Sequence, residues 1–202
     1  MCYNLLVIMK SKPKPNHGRR NQESRRALLE ALKEMLIQHP LSSISIEVVA
    51  ERAGVSKQTI YRWYHDKSAL FIDLYETESV DRLMIPDMGS VEKELNELAL
   101  QTWRFWRETA CGQAFRQLVA RCQSNLHASN QLRDDFMPRR RLFVTQILNR
   151  AVARGEIENG DCEVFTDLWV GFNWYHLLTN SLNDESIIPT MVSILLSGVM
   201  RK

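Results

Sequence analysis

Apolar residues recur every three to four positions along most of the chain, which is the spacing of a helix that buries one face. In the stretch 21–38, for example, Leu28, Leu32 and Leu36 share a face, and Pro40 predicts the end of that helix. No stretch alternates apolar and polar residues as a half-buried strand does. With only eight glycines and six prolines, the pattern predicts an all-α fold.

Capping and breaking residues divide this pattern into separate helices. Ser45, Ser56 and Asp66 stand where helix N-caps are expected, whereas Gly54 and Gly155 stand where helices should end. The segment 86–89 breaks the chain. Beyond it, the helices are predicted at 91–109, 112–127, 131–154 (with a bend at Pro138), 161–182 and 185–200.

Charge is distributed unevenly along the chain. Residues 1–66 carry 11 Lys and Arg against 6 Asp and Glu, whereas residues 67–202 carry 15 against 18. A basic N-terminal part predicts a polyanionic partner, although a solvated basic surface would show the same balance. No apolar run approaches the ~20 residues of a membrane span. We therefore predict a cytoplasmic protein without a membrane partner.

The four cysteines show neither a CxxC motif nor a metal-ligand spacing with histidine. They are predicted to be free thiols in a reducing compartment. The chain also lacks a phosphate-binding glycine loop, an HExxH motif and a nucleophile elbow. We therefore predict that the protein is not an enzyme, with no catalytic residue, no metal site and no cofactor.

The segment 46–65 is Ile-Glu-Val-Val-Ala-Glu-Arg-Ala-Gly-Val-Ser-Lys-Gln-Thr-Ile-Tyr-Arg-Trp-Tyr-His. Two short helices that cross closely need a small residue in the first and glycine in the turn, and Ala50 and Gly54 meet those needs. The apolar core between the helices is predicted to consist of Val49, Ala53, Val55 and Ile60. An ordinary αα-corner would share these features, but not a polar and aromatic outer face.

That outer face is formed by Lys57, Gln58, Thr59, Tyr61 and Arg62. Such side chains suit base edges, thymine methyl groups and phosphates in the major groove of DNA. The segment therefore predicts a DNA-binding helix-turn-helix.

The stretch Gly54-Val-Ser-Lys-Gln-Thr-Ile-Tyr-Arg-Trp-Tyr-His-Asp-Lys-Ser-Ala-Leu70 resembles the DNA-binding region of the Tet repressor (TetR) family. The family usually has glycine and threonine before the second helix, where this chain has His39-Pro40 and Ser45. A looser similarity to the family's regulatory domains covers 148–157, followed by Asp161 and Gly171.

The resemblance implies that the helix beginning after Ser56 enters the major groove. Lys57, Gln58 and Tyr61 would lie nearest the bases, Thr59 and Lys67 would hold phosphates, Tyr64 would pack inward and Trp63 would lie at the rim. The predicted DNA-binding residues are Ser45, Ser56, Lys57, Gln58, Thr59, Tyr61, Arg62 and Lys67.

The predicted architecture is a helix-turn-helix, three-helix head joined to a helical regulatory and dimerisation domain. We expect a flexible arm at 1–18, the DNA-binding domain at 19–84 and the effector-binding and dimerisation domain at 85–202. The expected function is a dimeric regulator, a repressor released from its double-stranded operator by a small apolar effector. The alternative is a helical adaptor whose basic head binds a protein or membrane surface.

Aromatic and apolar stripes in the C-terminal half supply the remaining predictions. Aromatic residues at helical spacing fit either a simple core or the walls of an effector cavity. If the family architecture holds, the cavity residues are Trp103, Trp106, Trp169 and His176. The last two helices carry more apolar surface than their own domain needs, so a homodimer is predicted through Leu168, Phe172, Tyr175, Met191, Ile194 and Leu195.

Overall fold

A computed structural model describes residues 19–158 and 162–198 of the chain. Within these ranges the structure contains helices and no strand, which confirms the all-α prediction. The predicted arm at 1–18 lies outside them. The α-helices are α1 (Arg19–Gln38), α2 (Ile46–Arg52), α3 (Lys57–Trp63), α4 (Lys67–Leu83), α5 (Val91–Glu108), α6 (Ala110–Cys122), α7 (Leu126–Gln131), α8 (Met137–Arg154), α9 (Cys162–Leu178) and α10 (Ile187–Ser197).

Two of the predicted helices are interrupted in the structure. The helix predicted at 112–127 ends at Cys122, and α7 begins separately because the Asn125 side chain accepts a hydrogen bond from the Ala128 N–H at 2.9 Å. The helix predicted at 131–154 is also divided, since a π-helical segment, Leu132–Phe136, precedes α8. Pro138 is the second residue of α8, directly after this π-helical segment.

The helix predicted at 161–182 ends four residues early, at Leu178. Asn180 adopts a left-handed conformation with φ of 58°, and the Ser181 N–H donates to the His176 carbonyl oxygen at 2.9 Å. Asparagine tolerates this conformation better than most residues, and such a residue commonly ends a helix. The connection to α10 is therefore longer than the tight turn predicted at Asn183-Asp184.

The structure divides into two compact units. The N-terminal unit runs up to Ser79 and includes Gln113–Phe136, and the C-terminal unit consists of Val80–Gly112 and the described residues from Met137 onward. The boundaries fall inside α4 and near the start of α6. The DNA-binding domain expected at 19–84 and the effector-binding and dimerisation domain expected at 85–202 stay predictions.

Aromatic residues fill the centre of the N-terminal unit. Tyr75 of α4 lies with its ring centroid 5.0 Å from Phe115 of α6 and 5.3 Å from Phe136. All three rings are buried. Because aromatic rings bury large apolar areas and prefer such tilted contacts, this cluster holds α4 against α6 in the same unit.

In the C-terminal unit, α5 packs against α8, α9 and α10. None of the described helices has the length and hydropathy of a membrane span.

Candidate functional site

The helix-turn-helix formed by α2 and α3 is fixed by local capping. The Ser45 hydroxyl accepts a hydrogen bond from the Val48 N–H, and the Ser56 hydroxyl accepts one from the Thr59 N–H, each at 3.2 Å. Gly54 has a φ of 63° in the turn between the helices, a conformation that glycine adopts without steric cost. The caps and the turn predicted from the sequence are therefore confirmed.

A small core decides which face of α3 points outward. Val49, Ala50 and Ile60 are fully buried, as predicted. Ala53 and Val55, predicted in the same core, are only half-buried. The correction follows from their positions, because both flank the Gly54 turn at the edge of the helix pair rather than at its crossing point.

With Ile60 buried, the opposite face of α3 lies in solvent. Lys57, Gln58, Tyr61 and Arg62 are exposed, while Thr59 is half-buried and its hydroxyl lies 2.8 Å from that of Ser56. The Gln58 side chain makes no hydrogen bond within the described chain, so both ends of its amide are available to a partner. The structure thus brings most of the predicted DNA-binding residues onto one exposed surface.

Tyr61 is held by a residue that sequence reasoning did not select. Its hydroxyl donates a hydrogen bond to the carboxylate of Glu47, in the first turn of α2. This hydrogen bond lowers the pKa of Glu47 and raises the pKa of Tyr61. No local pattern could reveal the pair, since the two residues are fourteen positions apart on different helices.

Lys67, at the start of α4, lies against the loop that precedes α2. Its Nζ atom donates to the carbonyl oxygens of Ser42 at 2.7 Å and of Ile44 at 3.0 Å. Burial, and then the nearby Arg121 guanidinium, lower the pKa of Lys67. An ammonium group has three N–H donors, so one remains for a phosphate.

The end of α3 is tied to the rest of the N-terminal unit through Tyr64. Its ring is buried, as the resemblance implied, and its hydroxyl donates to the Asp73 carboxylate at 2.5 Å. Arg25 of α1 donates to the same carboxylate at 2.7 Å. Burial and the Asp73 charge both raise the pKa of Tyr64. Trp63 is half-buried, in keeping with a position at the rim.

The four residues predicted around an effector lie in closely packed surroundings. Trp103 is fully buried, its indole N–H donates to Asn173 at 2.7 Å, and its ring contacts those of Phe172 and His176. Trp106 and Trp169 are also buried. Asn173 and Phe172, which complete this aromatic cluster, were not among the predicted ligand residues.

A cleft of about 270 Å³ lies elsewhere in the C-terminal unit, between the end of α4, the loop after it and α8. None of the four predicted ligand residues lines it. Its walls are Leu83, Met84, Ile85, Pro86, Phe143, Gln146, Ile147 and Arg150.

The loop beside this cleft is held by a buried charge that sequence reasoning also missed. Glu94 of α5 is fully buried and accepts hydrogen bonds from Arg150 Nε at 2.9 Å and from the Met88 N–H at 3.1 Å. Arg154 lies 3.1 Å from the same carboxylate. Arg150 also donates to the Ile85 carbonyl oxygen at 3.2 Å, so these contacts pin the loop to α8.

The predicted dimer residues differ in exposure. Leu168, Tyr175 and Ile194 are exposed, Phe172 and Leu195 are half-buried, and Met191 is buried in the core of its own unit. Met191 therefore offers a partner little surface. Val164 and Leu178, which belong to the apolar surface predicted for the dimer, are exposed on α9 as well.

Comparisons with known proteins agree over most of the chain. A family model described as bacterial regulatory proteins, tetR family, matches residues 28–74, and one described as Tetracyclin repressor-like, C-terminal domain, matches residues 85–193. The HTH-type transcriptional regulator YdeS of Bacillus subtilis (strain 168) is 31% identical over 182 residues, which cover 89% of this chain and 91% of that protein. The HTH-type transcriptional regulator AqdR of Rhodococcus erythropolis is 26% identical, with coverage of 89% and 86%.

The comparison with solved structures also finds a TetR family regulator. The crystal structure of the TetR family transcription regulator SCO0332 superimposes with a TM-score of 0.76 at 28% identity, over 89% of this chain and 100% of that one. The helix-turn-helix geometry, the two family models and these relatives agree, and the chain belongs to the tetR family of bacterial regulatory proteins, which are DNA-binding transcriptional regulators and not enzymes.

Proposed function

We propose that this regulator is a homodimeric repressor in the cytoplasm, which binds a (pseudo)palindromic operator through α3 and is released by a small, mostly apolar effector. The observation that carries the proposal is the exposed polar face of α3 on a helix-turn-helix whose caps and core leave it no other orientation.

The shape of α3 fits the major groove. An α-helix with its side chains is about 10–12 Å in diameter, and the groove is about 12 Å wide. Lys57, Gln58 and Tyr61 would face the bases. The phosphates around those bases would be held by the remaining predicted DNA-binding residues, which are Ser45, Ser56, Thr59, Arg62 and Lys67.

Operator binding is tested by selecting genomic DNA fragments that the protein retains over competitor duplex. We expect the retained fragments to share a sequence with two-fold symmetry, because each subunit of a dimer offers one recognition helix. A helical adaptor with a basic head would retain all fragments about equally, and that result would contradict the proposal.

An apolar stripe on α9 supports the homodimer. Val164, Leu168, Tyr175 and Leu178 are between 44% and 62% exposed. Together with Gly171 they follow one another at intervals of four, three, four and three residues, the spacing by which one helix packs along another. A Cβ atom at Gly171 would meet nothing within 4 Å, so a partner helix can approach the backbone there.

The symmetry of a two-fold dimer fits such a stripe. The same surface is used by both subunits, so α9 and α10 would pack with their copies as a four-helix bundle. Ile194 of α10, which is 66% exposed, would be covered in the same bundle.

The cleft at the end of α4 supports an effector site. Six of its eight lining residues are apolar. The Gln146 amide makes no hydrogen bond within the described residues, so it can orient a carbonyl or hydroxyl group of the effector. Because α4 runs without a break from Lys67 to Leu83, an effector that displaces its last turn can act on the helix that also carries Lys67.

Effector binding is tested by filling the cleft. Met84→Trp should abolish release from the operator by the natural inducer while leaving operator affinity unchanged. Met88→Trp is the matched control, since Met88 is similarly exposed but does not line the cleft. For the unmodified protein, operator DNA must weaken inducer binding by the factor by which inducer weakens operator binding. An inducer response that survives Met84→Trp would place the site elsewhere.

A further inference from the structure

We propose that Glu47 is a specificity-determining residue: by accepting the only hydroxyl proton of Tyr61, it leaves the phenol oxygen able to accept a hydrogen bond from a base but unable to donate one to a phosphate. The inference rests on the proposed contact between α3 and the operator, and it deepens that proposal by giving the direction of one hydrogen bond.

The geometry sets the direction of the bond between the two side chains. Glu47 stands in the first turn of α2 and is half-exposed, and Tyr61 stands on the outer face of α3. Their hydrogen bond joins the phenol O–H to one carboxylate oxygen. An ionised carboxylate has no proton to give, so the phenol must be the donor.

Electrostatic interactions keep the Glu47 carboxylate ionised and the Tyr61 phenol protonated. The hydrogen bond from Tyr61, then the Glu47 backbone N–H, the Ser45 hydroxyl and the Lys57 charge lower the pKa of Glu47, whereas burial opposes them. The bond to Glu47, then burial, raise the pKa of Tyr61. At neutral pH the carboxylate is therefore ionised and the phenol is protonated.

The hydrogen bond to Glu47 determines which groups of DNA the Tyr61 hydroxyl can contact. Phosphate oxygens only accept hydrogen bonds, so a phenol that already donates its proton to Glu47 cannot donate a hydrogen bond to a phosphate. In the major groove, the amino groups of cytosine N4 and adenine N6 are the donors. Tyr61 should therefore contribute a preference for cytosine or adenine at one position of each half-site.

The charge of Glu47 argues against a role in affinity. A carboxylate beside the DNA-facing surface repels the phosphate backbone, so its removal should strengthen binding to all sequences. Glu51 provides a matched control for this effect, because it lies four residues later on the same helix. Its side chain is exposed and makes no hydrogen bond or ion pair within the described residues.

The experiment selects bound duplexes from an operator library randomised at each position, with the full-length protein and four variants: Glu47→Ala, Glu51→Ala, Tyr61→Phe and Gln58→Ala. Affinity for competitor DNA is measured for each protein at several salt concentrations. Unfolding midpoints identify any variant that has lost its fold, and Glu47→Leu, which also has no acceptor oxygen, replaces Glu47→Ala in that case.

We expect Glu47→Ala and Tyr61→Phe to lose the same cytosine or adenine preference, on the order of tenfold at one position. Glu51→Ala should raise affinity for all sequences and keep that preference. Equal effects of Glu47→Ala and Glu51→Ala would show that only charge matters and would overturn the inference. The inference would also be overturned if Tyr61→Phe left the base preference unchanged and made the log–log salt slope of DNA binding shallower by about 0.9. That result would mean that the phenol contacts a phosphate.

The Gln58→Ala variant distinguishes a failure of this inference from a failure of the proposed contact between α3 and the operator. If Gln58→Ala alters base preference while Glu47→Ala does not, the inference fails and the operator contact of α3 stands. If neither Gln58→Ala nor Tyr61→Phe changes selection, α3 does not face the bases and both are wrong.

Discussion

Helices α3 and α9 both present side chains to solvent, but the two exposed faces have opposite chemistry. On α3 the exposed positions carry a lysine, a glutamine, a tyrosine and an arginine, whereas the buried anchor is Ile60. On α9 the exposed stripe is apolar, from Val164 to Leu178, and the buried positions include the polar Thr166 and Asn173.

This difference indicates the partner of each surface. A polar surface with unengaged donors and acceptors suits a hydrated polyanion, because water is exchanged for equivalent hydrogen bonds. A contiguous apolar stripe exposed on a helix suits another protein surface, because its burial is favourable at about 25 cal/mol per Å². Substitutions on the two helices test whether α3 and α9 serve different partners.

The largest effect is expected from Leu168→Asp on α9. A charge in the centre of the proposed bundle would be buried without a partner, so the protein should become monomeric. Because two linked recognition helices bind far more tightly than one, operator affinity should fall by about 100-fold or more. Sedimentation velocity gives the mass, and fluorescence anisotropy with an operator duplex gives the affinity.

The control for this experiment is Asn149→Asp, which adds the same charge at an exposed position of α8. It should leave both the mass and the operator affinity unchanged. If Leu168→Asp remains a dimer of full affinity, the stripe on α9 is not the dimer interface.

On α3, Gln58→Ala should reduce discrimination between operator and competitor DNA by about 1–3 kcal/mol, the value of a good contact to a base edge. Dimerisation should not change, since Gln58 lies on a different surface from α9. Competition titrations with mismatched duplexes measure the discrimination. Gln38→Ala, at the exposed end of α1, is the matched control, and an equal loss in both variants would remove Gln58 from the interface.

The contrast between the two helices also explains what could be predicted from the sequence. The caps at Ser45 and Ser56 and the turn at Gly54 depend on interactions within four residues, so they can be recognised locally. The contacts of Glu47 with Tyr61 and of Glu94 with Arg150 join residues distant in sequence. Their partners are set by packing, for which neither periodicity nor capping gives a signal.

The prediction of an effector site is limited in the same way, because such a site depends on packing between residues that are distant in sequence. Tryptophans at helical spacing fit a cavity wall and a filled core equally well, and Trp103 lies in a packed cluster with Phe172 and His176. The cleft at the end of α4 depends on how a loop of seven residues, 84–90, is held against α8 by a buried carboxylate. That arrangement has no counterpart in the linear sequence.

A smaller effect is expected from Lys67→Ala, which removes a charge beside α2. If its third N–H binds a phosphate, affinity should fall several-fold for every sequence and the log–log salt slope should become shallower by about 0.9. Lys67 also donates to Ser42 and Ile44, so its unfolding midpoint must be measured alongside. Lys67→Arg should keep the slope, and Lys93→Ala removes a lysine from α5 as a control.

The smallest effect concerns charges of the C-terminal unit that pair with one another, such as those of Glu156 and Arg154. Glu156 accepts a hydrogen bond from the Val91 N–H at 2.7 Å and pairs with Arg154. Burial raises the pKa of Glu156, but the Val91 N–H and the Arg154 contacts outweigh it, and the pKa lies below its ordinary value of 4.5. The folded state therefore favours the ionised carboxylate.

A carboxylate whose pKa is lowered by folding contributes stability above its unfolded pKa, and loses it as pH falls through the folded value. Glu156→Gln should therefore be slightly less stable than the unmodified protein at pH 7, by no more than about 1 kcal/mol for a partly exposed pair. The difference should shrink as pH falls below 4.5. Thermal unfolding at several pH values measures it, with Glu158→Gln, at an exposed position two residues later, as the control. A difference independent of pH would mean that Glu156 acts through packing and not through its charge.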